Sequence, residues 1–243
     1  MINRWRKPED RYARRMARIA RWDRPIGGWR DRLSAWTNLL FVDHGVFRLA
    51  YLNAHKVSDN LWRAAQPAPG DIARFAKAGV KTIINLRGGR EHGAWPLERE
   101  ACERHGIALV DLVLRSREAP DRETLLSLPA FFAGIEWPAL VHCKSGADRA
   151  GLFSALYLLI HEGRPLSEAK AQLSFRYGHY RYAKTGILDA FFEAYEAGAK
   201  RGDGSLKPFL DWVREDYDAA ALTAGFRPGM VSDLLVDKIL RRE

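Results

Sequence analysis

Cysteine is scarce in this 243-residue chain: Cys102 and Cys143 are the only two. Two thiols exclude a disulfide-stapled scaffold and a cysteine-rich zinc site. Long apolar runs are lacking too. The longest, residues 152–160 and 39–42, fall well short of the roughly 20 residues that span a bilayer. The N-terminus has arginines but no apolar core with a small-residue cleavage site, so no secretory leader is expected. Repeats and low-complexity segments are absent. Acidic residues are under-represented at one end. Residues 1–33 hold eleven Lys/Arg against four Asp/Glu, which supplies +7 of the net charge of +9. The basic character therefore belongs to an N-terminal arm, not to the whole chain.

What is present is an ordinary globular composition, 47% apolar, long enough for one well-buried domain and an appendage. Three segments are expected: a basic helical extension over 1–45, a main domain over 46–225, and a C-terminal tail over 226–243 that has some helical character. In the arm, Tyr12, Met16 and Ile19 recur at helical spacing among arginines. After a Pro-Ile-Gly-Gly break, Trp29, Leu33, Trp36 and Leu40 form a second stripe. Residues 1–41 could lie against an anionic membrane surface, or the second helix could dock on the core. Nucleic acid is not expected, because no reading motif accompanies the charge.

From residue 47 on, α and β patterns alternate. Strands are expected at 47–51, 61–64, 80–86, 107–114 and 139–142. Helices are expected at 96–105, from 120 with a break near Pro129, and at 152–162, 166–177, 187–200 and 206–220. This is an α/β class: a central, mainly parallel sheet flanked by helices, with an N-terminal helical extension. Active residues in such folds sit at strand carboxyl ends. Cys102 reads as a helix residue facing the sheet.

The densest chemistry is His-Cys-Lys-Ser-Gly-Ala-Asp-Arg-Ala-Gly, residues 142–151. An apolar strand precedes it and a helical run follows. Five residues separate Cys143 from Arg149, enough for a loop whose N–H groups converge at a helix N-terminus. Such a nest binds a tetrahedral dianion. The same field favours the thiolate, the nucleophilic form of cysteine. The Arg149 fork can grip two phosphoryl oxygens.

On His142, Cys143, Gly146, Arg149 and Gly151 the chain resembles the protein tyrosine phosphatase superfamily, the cysteine-dependent phosphatases with dual-specificity and atypical bacterial branches. A sulfur-transfer rhodanese has a shorter loop that would not fit phosphate. The resemblance implies a phosphomonoester hydrolase working through a phosphocysteine. Cys143 would be the nucleophile, and Lys144, Ser145, Gly146, Ala147, Asp148 and Arg149 the phosphate cradle, with His142 as support. Arg149 and the amides would supply the charge stabilisation, so no metal or cofactor is expected. Arg87, Arg90, Arg115 and Arg117 are candidate substrate contacts, and His179 and Lys184 could border the site.

The upstream aspartate that many members use as general acid is missing from residues 113–120. Asp148, inside the loop as in one atypical bacterial branch, is the leading acid, with Asp111 and Glu118 as alternatives. Ala150 also departs from the usual Ser or Thr after the arginine. The partner would be a phosphorylated protein, or alternatively a membrane phospholipid or phosphoinositide. A phosphate-binding pseudophosphatase is the non-enzymatic alternative. An essential thiolate suits a reducing compartment, so the expected location is cytoplasmic, with contact at the inner face of a membrane.

Overall fold

The computed structural model describes residues 8–228; most of the expected C-terminal tail lies outside them. The chain opens with α1 (Pro8–Trp22) and α2 (Trp29–Thr37). A wide turn, Asn38–Val42, leads to α3 (Gly45–Ala50). There follow β1 (His55–Lys56), β2 (Leu61–Ala65), α4 (Pro69–Lys77), β3 (Thr82–Asn85), α5 (Ala94–His105), β4 (Ala108–Asp111), α6 (Arg122–Ala133), β5 (Ala139–Cys143) and α7 (Asp148–Leu156). The last helices are α8 (Leu166–Lys170), α9 (Ile187–Gly198), α10 (Phe209–Glu215) and α11 (Ala219–Gly225).

The five strands are ordered β1-β2-β5-β3-β4, all parallel except β1, which pairs antiparallel with β2. Alternation along each strand divides the core in two. Ile84 and Val141 face the α6, α7, α9 and α10 side with Phe132, Phe153, Phe191 and Trp212. Ile83 and Leu140 face α4 and α5 with Ile72, Phe75, Ala101 and Cys102. Cys102 is thus a buried packing residue, and burial pushes its thiol pKa up. Register brings Ala65, Cys143, Asn85 and Asp111 to the same carboxyl end of the sheet.

Several boundaries differ from expectation for physical reasons. Residues 47–51 are helical at 47–50, not a strand. Their alternation reflects exposure of Phe47, Leu49 and Tyr51. Arg48 folds back one turn to Asp43, donating to its carbonyl and to Oδ2 at 2.7 Å each. An extended chain would separate those two residues by about 16 Å. The edge strand is instead His55–Lys56. The expected helix over 166–177 stops at Lys170, with a separate 3-10 turn at Phe175–Tyr177. The 206–220 segment divides in two, because Asp218 accepts from Ala221 N and caps α11 as a new start.

The N-terminal helices dock on α5 through Trp22, Ala35, Leu39, Ala94 and Leu97. Trp29 and Leu33, read as part of one docking stripe, point to solvent. Asp43 locks the junction. It is almost fully buried and holds both Arg48 and Arg87, the latter through two bonds of 2.7 Å. Although burial works to raise its pKa, these cations keep it well below the ordinary carboxylate range. Asp43→Ala strands two enclosed guanidinium groups. It is expected to lower unfolding free energy by about 3–5 kcal/mol, read as a shift in the urea midpoint.

Candidate active site

Residues 144–147 form the turn between β5 and α7. Each of its four carbonyls is taken from outside. Gln66 N donates to Lys144 O at 3.4 Å, and Asn53 Nδ2 donates to Ser145 O at 3.0 Å. Arg63 Nη2 donates to both Gly146 O and Ala147 O at 2.8 Å. In a planar trans peptide the N–H points opposite the carbonyl. The amides of Ser145, Gly146, Ala147 and Asp148 therefore turn away from these donors, toward the inside of the loop. Gly146 makes the turn possible. Its φ is +74°, and a Cβ there would sit 2.6 Å from Ala65 N. Cys143 closes β5 with 2% exposure, and Arg149 is half-buried as the second residue of α7. The helix start adds positive potential.

Arg63 went unnoticed in the sequence, where it interrupts an apolar strand. It is fully buried, donates to Gln172 O at 2.6 Å, and stacks over Tyr177 at 4.1 Å. Burial lowers its pKa to about 10, against the pull of Cys143, Tyr177 and Asp148. It stays charged at neutral pH.

His142 is fully buried with Nε2 2.7 Å from Glu98 Oε1. The other Glu98 oxygen accepts from Gln66 Nε2 at 2.7 Å. Arg87 donates to Gln66 Oε1 and grips Asp43. A continuous polar chain thus runs from Asp43 to the residue before the nucleophile.

The structure sorts the remaining candidates. Lys144 and Ser145 line a cavity of about 730 Å³ together with Phe47, Tyr51, Tyr177 and Tyr180. Arg87, expected as a substrate contact, is instead enclosed by its bonds to Asp43 and Gln66. Arg90 pairs with Asp23 at 3.0 Å and with Asp111 at 3.1 Å. Asp111 also accepts from Asn85 Nδ2 at 2.9 Å, so it is tied into the strand ends. Arg115 and Glu118 pair with each other at 2.7 Å beside a separate cavity of about 400 Å³, and Arg117 is half-buried nearby in sequence. Lys184 begins a short 3-10 turn. Ala150 is fully buried. Among the described residues no group of three or more His, Cys, Asp or Glu is placed to hold a metal.

Asp148 has a partner the sequence placed only loosely near the site. His179 Nδ1 lies 2.6 Å from Asp148 Oδ1, and His179 Nε2 lies 2.6 Å from Asp189 Oδ2 on α9. Two carboxylates at the two ring nitrogens call for a proton on each nitrogen. Burial opposes the charge, but these hydrogen bonds outweigh it and raise the His179 pKa to about 9.

A family model described as the DSP-PTPase phosphatase fused to NAD+ kinase matches residues 42–186, and the chain belongs to that family. The dual specificity protein phosphatase TpbA of Pseudomonas aeruginosa strain UCBPP-PA14 is 29% identical over 113 residues, 46% of this chain and 49% of that protein. The chain thus matches about half the length of this curated relative. A crystal structure of P. aeruginosa TpbA in complex with pTyr superposes with a TM-score of 0.49 at 21% identity. It covers 72% of this chain and 92% of that one. Human DUSP28 gives 0.42 at 21% identity, over 57% and 92%.

The raised His179 pKa ties stability to pH. The unfolded histidine titrates near 6.5, so the contribution of its bound proton is complete below about pH 6.5. It is lost as pH rises through about 9. The urea midpoint is expected to fall between pH 6.5 and 9.5, and to fall less in His179→Gln.

Proposed function

We propose that the protein hydrolyses phosphomonoesters through a phosphocysteine at Cys143. The observation that carries this reading is the loop with all four carbonyls held outward and its amides turned in, between Cys143 and Arg149. Cys143 Sγ attacks phosphorus in line. The S–P bond forms as the ester P–O bond breaks, and water then cleaves the intermediate. The amides and Arg149 carry the charge on the equatorial oxygens, so catalysis is positioning and electrostatics. Asp148 delivers the proton that the leaving oxygen needs. The substrate class is a phosphoprotein, in the manner of dual-specificity enzymes. The aromatic cavity beside Lys144 and Ser145 supports a phosphorylated aromatic side chain.

A second reading, a phosphatase working on substrates at a membrane surface, has its own support. Among the described residues the exposed large hydrophobic side chains lie between Tyr12 and Tyr51, except for Val113, Phe175 and Tyr182. They share that segment with its arginines, and Phe47 and Tyr51 continue into the cavity at the loop. Such a surface suits the boundary of an anionic leaflet. In this reading residues 1–45 are the membrane-facing extension of a catalytic unit spanning 46–225, on the cytoplasmic side. No described helix is long and apolar enough to cross a membrane.

Two measurements test these readings. Cys143→Ser is expected to abolish turnover of 4-nitrophenyl phosphate without changing the fold, while chelators leave the wild type active. Turnover by the serine variant would remove the phosphocysteine, and an inactive wild type would leave a phosphate-binding module. For the surface, the double variant Trp29→Ser/Phe41→Ser is expected to weaken sedimentation with phosphatidylserine vesicles by at least about tenfold, since burying each ring is worth about 1.5–3 kcal/mol. Unchanged sedimentation would leave the soluble phosphoprotein reading alone.

A further inference from the structure

Asp148 is held by a histidine, and that changes what it can do as an acid. His179 is 3% exposed and lies 31 residues beyond Asp148, on the connection after α8. Its ring spans two carboxylates, Asp148 at the start of α7 and Asp189 in the first turn of α9, each at 2.6 Å. An isolated carboxyl group titrates near 4 and holds little of its proton at neutral pH. A carboxylate bonded to an imidazolium has a proton within one hydrogen bond.

We propose that His179 is the proton store for leaving-group protonation, acting through Asp148, and that Asp189 keeps His179 charged. This rests on the phosphocysteine reading of Cys143. His179 is a positioning residue in this scheme, since Asp148 is the group that meets the substrate. The step balances as follows. As the ester P–O bond breaks, the leaving oxygen takes a proton from the Asp148 carboxyl group. That group is supplied by the Nδ1 proton of His179, which is left as a neutral imidazole still donating to Asp189. When water cleaves the phosphocysteine, its proton returns by the same path, and His179 is again an imidazolium with Asp148 a carboxylate.

The surroundings support a bound proton at this place. Asp189 on α9 faces the ring, Arg63 on β2 interacts with Asp148 from behind the loop, and Arg149 follows Asp148 on α7. In His179's own segment Tyr177 is stacked on Arg63, and Arg176, Tyr180 and Arg181 are the other titratable or charged neighbours. Two carboxylates are in direct contact with the ring. A buried cation so held sustains an acid function to about pH 9, above the range of a lone carboxyl.

The experiment is a set of pH profiles of kcat/KM with phenyl phosphate, a poor leaving group, and 4-nitrophenyl phosphate, a good one. The proteins are the wild type, His179→Gln, Asp189→Asn and Cys143→Ser. His179→Gln is expected to slow phenyl phosphate by about 10²-fold or more and 4-nitrophenyl phosphate by under about tenfold. Asp189→Asn keeps the shape of the cluster but removes one charge from the ring. Its alkaline limb is expected to move about one unit or more toward acid. Equal slowing of both esters by His179→Gln, together with an unmoved limb in Asp189→Asn, would reduce the histidine to a structural brace and overturn the relay. In that case Cys143→Ser would still be inactive, leaving the phosphocysteine intact. Turnover by Cys143→Ser, or none by the wild type, would overturn both.

Discussion

A loop that turns its amides inward must turn its carbonyls outward, and in a closed fold those carbonyls need donors. Arg63 meets this requirement for Gly146 and Ala147 at once. A lysine could not reproduce it, because the planar guanidinium also reaches Gln172 and sits over the Tyr177 ring. Leaving buried carbonyls unsatisfied costs about 1–3 kcal/mol each. Ala147 O also accepts from Gly151 N at 3.0 Å, so without Arg63 it is Gly146 O that loses its donor. The loop would recover part of that cost by rotating this peptide, which turns the Ala147 amide away from phosphate. One residue in β2 thus fixes the direction of the dipoles that face the substrate. Its charge, trapped behind the loop, also favours an anion in front of it.

The second constraint is the polar chain from Asp43 through Arg87, Gln66 and Glu98 to His142. Buried ion pairs of this kind add little net stability, because desolvation offsets the attraction. Their effect is on geometry. Each member is bonded to the next, so displacing one side chain takes a bond from its neighbours, and the chain has one favoured arrangement. It joins the turn before α3 to the residue beside the nucleophile, which makes the N-terminal helices part of the site's framework rather than a loose arm. The bonds from Arg15 and Arg18 to Glu91, each at 2.8 Å, reinforce the same seam from outside.

The phosphate loop is legible in the sequence because its geometry is local. Cys143, Gly146 and Arg149 fall at the spacing of one strand-to-helix turn, and chain connectivity alone brings them together. The buried strands are legible for a similar reason, since Ile83, Ile84, Leu140 and Val141 sit in short continuous apolar runs. Residues 47–51 mislead because an alternating pattern of exposed side chains on a short helix mimics a half-buried strand. Arg63 and His179 could not be ranked from spacing. Their partners are 83 and 31 residues away, the first across the three crossover helices α4, α5 and α6 and the second across α7 and α8, and only the completed fold supplies those distances. Asp189 lies ten residues from His179, but its role depends on where α9 packs.

Charge in this molecule is therefore divided by depth. The enclosed arginines, Arg63 and Arg87, have fixed partners and shape the site. The arm's arginines are half-exposed and bind carboxylates such as Glu91, Asp31 and Glu100 at the surface. Exposed pairs of that kind contribute about 0–1 kcal/mol each and weaken with salt. A basic side chain near an anionic leaflet gains about 1 kcal/mol, so exchanging such a pair for a lipid headgroup is close to even. Burial of Trp29 or Phe41 would then decide the balance. Apolar contact sets whether the arm binds a surface, and its arginines set which surface. The phosphate loop, held by bonds that do not reach the solvent, would be unaffected by the exchange.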